Sequence, residues 1–152
     1  MKTILIKSNL AMFVLFFALP EVAMTQSNIG LGIYLGNPSG VTMKFGLRPS
    51  TSVDLLAAWR LDDTFFAQSH YNFTITMLSR SNEGEVSLYG GPGIFLRSAS
   101  HQRDRMGFSG NFGIDWIVTR HLELFSEISP KIGLIRSTEF EITGGIGFRY
   151  LF

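Results

Sequence analysis

The clearest pattern in this chain is an alternation in residues 139–152, in which Phe140–Phe152 read FEITGGIGFRYLF. Every second side chain from Phe140 onward is apolar or glycine, and the series ends in aromatic residues. The positions between them are polar or glycine, with Leu151 as the exception. Because successive side chains of a β-strand point to opposite faces, this period of two predicts a strand with one apolar and one polar face.

The same alternation recurs along the chain and predicts seven further strands. Short stretches of turn-forming residues separate them, such as Asn-Pro-Ser-Gly at 37–40, and no segment shows the 3.6-residue period of an amphipathic helix. Eight is an even number, and the segments are about as long as the 9–11 residues of a tilted membrane strand. We therefore predict an all-β fold, an eight-stranded antiparallel up-and-down transmembrane β-barrel. The seven further segments are 28–36, 40–48, 52–60, 71–78, 85–97, 106–119 and 121–134.

Length and composition limit the function classes. The chain has 152 residues, which predicts one domain, and only 16% of them are charged, against roughly 25% in ordinary soluble domains. A formal charge of +1 gives no electrostatic basis for binding nucleic acid. The absence of cysteine excludes disulfides, thiolate zinc sites, cysteine nucleophiles and lipoprotein acylation.

The N-terminal residues have the layout of a secretory signal peptide. Lys2 and Lys7 precede an uncharged apolar run at 10–19, which is too short to span a bilayer. Cleavage is plausible after Ala23 or after Thr25, and both sites stay open. We predict a signal peptide at 1–25 and a barrel domain at 26–152.

Alternation alone does not say which face of the barrel meets solvent. A soluble barrel buries its apolar face, whereas a barrel in a membrane turns that face to lipid and keeps polar and small residues inside. Export across a membrane and nearly uninterrupted apolar faces favour the membrane barrel. Aromatic residues are also predicted near strand ends, where interfacial girdles lie. These aromatic residues are Trp59, Tyr71, Trp116 and Tyr150.

The predicted inner face carries as many acidic as basic residues. Eight strands enclose an interior that side chains fill, which argues against a general porin, and charges buried there must pair. We predict an ion-pair network that fills the lumen, formed by Lys44, Asp115, Glu127, Glu141 and Arg149. A narrow ion path or gate remains the alternative. The other inner charges are Arg48, Asp54, Arg60, Glu85, Arg97, Glu123 and Lys131.

Two alternative functions remain open: an outer-membrane enzyme that modifies lipid, and a secreted soluble barrel that binds an apolar ligand. The longest predicted outer loops, 61–70 and 98–105, hold the only candidate catalytic pair, Ser69 and His70. Their spacing matches no lipase or acyltransferase motif, and the chain has no G-x-S-x-G. We therefore predict no enzyme activity, no catalytic residue, no metal site and no cofactor.

Several short motifs add a family resemblance. They place glycines, turns and an inner acidic residue, and across 28–152 the chain resembles the small eight-stranded outer-membrane β-barrel proteins of bacteria, in particular a group of uncharacterised small barrels. The motifs are GNPSG at 36–40, LYGGPG at 88–93, LFSEISP at 124–130 and GGIGFRYLF at 144–152.

The resemblance implies a location and partners rather than an activity. It implies an integral protein of the bacterial outer membrane, in contact with membrane lipid and lipopolysaccharide. Phe148, Tyr150 and Phe152 resemble the C-terminal assembly signal of such barrels, which implies periplasmic chaperones and the barrel-assembly machinery as partners.

Overall fold

The computed structural model describes residues 29–61, 63–100, 102–135 and 138–152, and the predicted signal peptide and its cleavage site lie outside these ranges. The described residues form a closed barrel in which each strand pairs with the next and β1 pairs with β8, all antiparallel. The predicted eight-stranded antiparallel fold is therefore confirmed. The strands are β1 (Ile29–Gly36), β2 (Gly40–Arg48), β3 (Thr51–Trp59), β4 (Thr64–Ser81), β5 (Gly84–Ala99), β6 (Gln102–Thr119), β7 (Leu122–Gly133) and β8 (Phe140–Leu151).

Two ends of the barrel can be distinguished. The proximal end carries Ile29, Phe152 and the turns at 49–50, 82–83 and 120–121, whereas the distal end carries the other connections. Within the described ranges, no helix is long and apolar enough to cross a bilayer.

The prediction of two long outer loops at 61–70 and 98–105 is wrong. β4 begins at Thr64, β5 runs to Ala99 and β6 begins at Gln102, so most of these residues belong to strands, while Asp62 and His101 are not described. Polar residues predict solvated loops there, but alternate ones, such as Gln68 and His70, are buried in the lumen. Tyr71 consequently lies in the middle of β4 rather than at a strand end.

The apolar face of the barrel points outward and the charged face points inward. Along β8, Phe140, Ile142 and Ile146 are exposed, whereas the guanidinium-bearing side chain of Arg149 is 1% exposed. A barrel surrounded by water would carry its polar side chains outside and its apolar side chains inside. In this structure the polar side chains form the core of the lumen instead.

Glycines on the inner face make room for large side chains. Gly147 of β8 is the register partner of Tyr34 on one side and of Phe125 on the other, and the two rings stack with their centroids 6.2 Å apart. A Cβ added at Gly147 would meet the Phe125 ring and the backbone oxygen of Ile33. The lumen is therefore packed closely at this level.

Candidate functional site: the barrel lumen

The centre of the proximal half of the lumen is the guanidinium group of Arg149. It donates to Asp54 at 3.0 Å and to Glu123 at 3.1 Å, and two further hydrogen bonds reach the Thr42 hydroxyl. The same group lies 3.8 Å from the centroid of the Phe125 ring. The N–H donors of the planar guanidinium group thus bond to two carboxylates and a hydroxyl, and the group also lies over an aromatic ring.

Lys44 connects this centre to a third carboxylate. Its ammonium group lies 2.5 Å from Glu123 and 3.3 Å from Asp115, and Asp115 also accepts a hydrogen bond of 2.6 Å from Ser87. We call Lys44, Asp54, Asp115, Glu123 and Arg149 the proximal charge cluster. In it, two cations hold three carboxylates in a single connected network.

Glu127 lies outside this cluster, in a network whose other members are neutral side chains. It accepts hydrogen bonds from the Tyr89 hydroxyl at 2.8 Å and the Asn111 amide at 3.1 Å, and no described cation is within ion-pair distance of it. Asn111 is fully buried and also donates to Asn72. The carboxylate is therefore held by neutral donors.

Gly113 makes the bond between Tyr89 and Glu127 possible. It is the register partner of Tyr89 on β5 and of Glu127 on β7, so the tyrosine ring crosses over it to reach the carboxylate. A Cβ at Gly113 would collide with the Tyr89 ring. The glycine is thus part of the network although it offers no polar side chain.

We predict that Gly113→Ala lowers the free energy of unfolding by about 1–3 kcal/mol, the usual effect of overpacking a core, and displaces the Tyr89 hydroxyl from Glu127. Urea titration of the refolded protein measures the change. Gly110→Ala is the matched control on the same strand, because a Cβ there would meet only the Pro130 ring, at 3.6 Å. Equal losses in both variants would contradict the packing argument.

A cluster of buried apolar side chains extends from the Phe125 ring beside Arg149 towards the distal end of the lumen. Lys131 lies over two of its rings, with its ammonium group 4.2 Å from the Phe66 centroid and 5.8 Å from that of Phe95. Above them, Arg97 donates to both oxygens of Glu141 at 3.2 Å, and Arg105 pairs with Glu139. The apolar cluster comprises Tyr34, Leu56, Ala58, Phe66, Phe95 and Phe125.

A cavity of about 740 Å³ opens at the proximal end and is lined by charged, polar and apolar side chains. Lys44, Asp115 and Glu123 line it on the inside, and Arg48 and Arg120 line it close to the proximal turns. We call this cavity the proximal vestibule, and the proximal charge cluster lies between it and the buried apolar cluster.

The structure distributes the five predicted network residues over three places. Lys44, Asp115 and Arg149 lie in the proximal charge cluster, Glu127 in the neutral network, and Glu141 at the distal end with Arg97. Sequence reasoning placed Asp54 and Glu123 on the inner face but did not select them for the network. Their positions opposite Lys44 and Arg149 in the register are the feature that would have identified them.

The candidate catalytic pair is not brought together. Ser69 and His70 are consecutive residues of β4 and so point to opposite faces. His70 is 2% exposed, and its Nε2 lies 2.8 Å from the hydroxyl of Ser109 in the lumen. Among the residues that the structure describes, no group of three or more acidic, histidine or cysteine side chains is arranged to hold a metal ion.

The aromatic residues of the predicted assembly signal lie at the proximal end. Phe148, Tyr150 and Phe152 are exposed, Tyr150 stacks on His121 with centroids 5.4 Å apart, and the Phe152 ring is 5.1 Å from Tyr150. The three side chains form an accessible aromatic strip, and its role in assembly stays a prediction.

Comparison with known proteins identifies the fold. No family model and no curated protein matches the chain. Among solved structures, the chain is similar to the N-terminal β-barrel domain of Pseudomonas aeruginosa OprF, with 12% identity and a TM-score of 0.55 over 82% of this chain and 95% of that one. Ail, the attachment invasion locus protein of Yersinia pestis, has the same identity and coverage with a TM-score of 0.40. The resemblance to small eight-stranded outer-membrane barrels is therefore confirmed at the level of the fold.

Proposed function

We propose that this chain is an integral β-barrel of the bacterial outer membrane with a structural or surface-interaction role and no catalytic step. The observation that carries the proposal is the inverted distribution of side chains. Large apolar residues are exposed around the outside of the barrel, while Arg149, Lys131 and Glu123 are buried within it. A continuous apolar belt of this kind is stable against hydrocarbon, whereas exposed to water it would drive aggregation.

A soluble barrel that binds an apolar ligand is disfavoured by the same observation. Such a barrel would need an apolar interior to receive the ligand, but this lumen contains the proximal charge cluster and the Glu127 network. The enzyme alternative lacks geometric support, because Ser69 and His70 point to opposite faces.

We further propose that the lumen is closed to general solutes. Five charged side chains occupy its proximal half, and the buried rings of Phe66 and Phe95 lie in its distal half. Opening a path for ions would require breaking buried ion pairs and moving packed rings, and each of these steps is costly. The side chains therefore favour a filled barrel over a pore.

The partners in this proposal follow from the location. Outer-membrane lipid would contact the apolar belt, and lipopolysaccharide would contact the distal rim that carries Arg97 and Arg105. Export through the predicted signal peptide would deliver the chain to periplasmic chaperones and the barrel-assembly machinery, with Phe148, Tyr150 and Phe152 as the recognised strip. Nucleic acid is not among the proposed partners.

Fractionation of cells that express the full chain tests the location. We expect the protein in the outer-membrane fraction, with migration on a denaturing gel that shifts when the sample is boiled, because a closed barrel resists detergent until heated. The same protein in planar bilayers should show no conductance steps of a general pore. Recovery as a soluble periplasmic protein without a shift would overturn the membrane proposal, and large steps would overturn the closed lumen.

A further inference from the structure

A small pocket lies at the distal end of the lumen, apart from the proximal vestibule. Its volume is about 20 Å³, which is the space for one water-sized species. The charged side chains around it are Arg97, Arg105, Lys131, Glu139 and Glu141. The pocket is therefore small, and most of the side chains that line it are charged.

Lys131 lines this pocket, and its ammonium group has no ion-pair partner among the described residues. The residue is 1% exposed, yet among the described residues it has no carboxylate within ion-pair distance and no hydrogen-bond acceptor. Its neighbours are the rings of Phe66 and Phe95, which stabilise a positive charge but supply no lone pair for its three N–H donors. Because Lys131 lines the pocket, an acceptor or a counter-ion bound there would satisfy these donors.

The nearby carboxylates are already engaged. Glu141 faces Lys131 across the β7–β8 register but accepts both of its bonds from Arg97, and Glu139 pairs with Arg105. The next acidic residue along β7 is Glu127, about 13 Å away at the usual strand rise and held by Tyr89 and Asn111. Three cations therefore face two carboxylates around the pocket, which leaves one positive charge.

We propose that the distal pocket binds a single monatomic anion of the halide class, with the Lys131 ammonium group as its principal ligand. A halide ion matches the size of the pocket, supplies an acceptor to the N–H donors and neutralises the excess charge. Arg97 and Arg105 line the same pocket, and each is paired with a glutamate, so the excess charge is that of Lys131. A water molecule would fit the volume but would leave the charge in place.

Thermal unfolding of the full chain in detergent micelles tests the halide site. At constant ionic strength, replacing sodium isethionate by sodium bromide should raise the unfolding midpoint in a saturable way, because a ligand that binds only the folded state stabilises it. Lys131→Met should abolish the bromide dependence. Arg48→Met, which removes a cation at the opposite end, should retain it.

Diffraction gives a second measurement that does not depend on any variant. Crystals grown in bromide should show an anomalous peak in the pocket beside Lys131. An unfolding midpoint of the unmodified protein that is equal in bromide and isethionate would overturn the proposal, as would a bromide dependence that survives Lys131→Met. A water molecule in place of the anomalous peak would also overturn it.

Discussion

Arg149→Met is expected to lower the free energy of unfolding by about 3–5 kcal/mol, the range for removing one partner of a buried ion pair. The substitution leaves Asp54 and Glu123 in the lumen without their guanidinium partner, and both are nearly inaccessible to water. Methionine retains much of the contact with Phe125, so the loss reports on charge rather than on packing. Urea titration in lipid vesicles, followed by the fluorescence of Trp59 and Trp116, measures it.

Arg80→Met is the control for this experiment. Arg80 pairs with Glu85 at 3.1 Å, but its side chain is 73% exposed, so its removal should change stability by less than about 1 kcal/mol. Adding Asp54→Asn to Arg149→Met should recover part of the loss, because one of the orphaned charges is then removed. If Arg149→Met were as stable as Arg80→Met, the buried ion pairs of Arg149 would contribute no more to stability than the exposed pair of Arg80.

The inner residues could be predicted from the sequence, but their pairing could not. Alternation places Lys44, Asp115 and Arg149 on the same face, because a period of two needs only local information. Which residues touch depends on strand register, and register depends on turn lengths and on bulges such as the one between Gly46 and Arg48. Contacts across the lumen, such as Lys44 to Asp115, also depend on barrel diameter.

The hydrogen-bond partners of Glu127 could not be predicted from local sequence pattern. The charge of Glu127 predicts an ion pair, yet its hydrogen-bond partners are the neutral side chains of Tyr89 and Asn111. The tyrosine reaches it because Gly113 lies between them in the register, a relation that depends on the pairing of three consecutive strands, β5, β6 and β7. The alternation predicts that Gly113 faces the lumen, but it does not predict that the Tyr89 ring crosses over it.

The number of strands could be predicted from the sequence, but the residues at which some strands begin or end on the distal side could not. The segments with strong alternation became strands, and β1, β2 and β3 lie within a residue of their predicted bounds. The beginning of β4 was missed because it includes Gln68 and His70, polar residues that both face the lumen. Polarity predicts a loop in a soluble protein, but in a barrel with a wet interior it marks the inner face of a strand equally well.

Ile128→Arg is expected to cost about 2–4 kcal/mol in lipid vesicles, the range for a basic side chain near the bilayer midplane of a transmembrane barrel. Ile128 lies near the middle of β7 on the outer face and is 57% exposed. In hydrocarbon, the guanidinium group must leave water, and the register partners of this position, Phe112 and Gly144, offer it no carboxylate. Urea-induced unfolding from vesicles measures the change.

Leu61→Arg distinguishes lipid from water around the barrel. Leu61 is fully exposed in the connection between β3 and β4, outside the strands, so an arginine there remains hydrated and should cost little. In a soluble barrel both positions would be wet, and both variants would differ from the parent by no more than about 0.5 kcal/mol, as surface substitutions usually do. A large loss at Ile128 together with none at Leu61 is therefore the result that only a barrel with lipid around its middle produces. Equal tolerance at both positions would remove the basis for the membrane location.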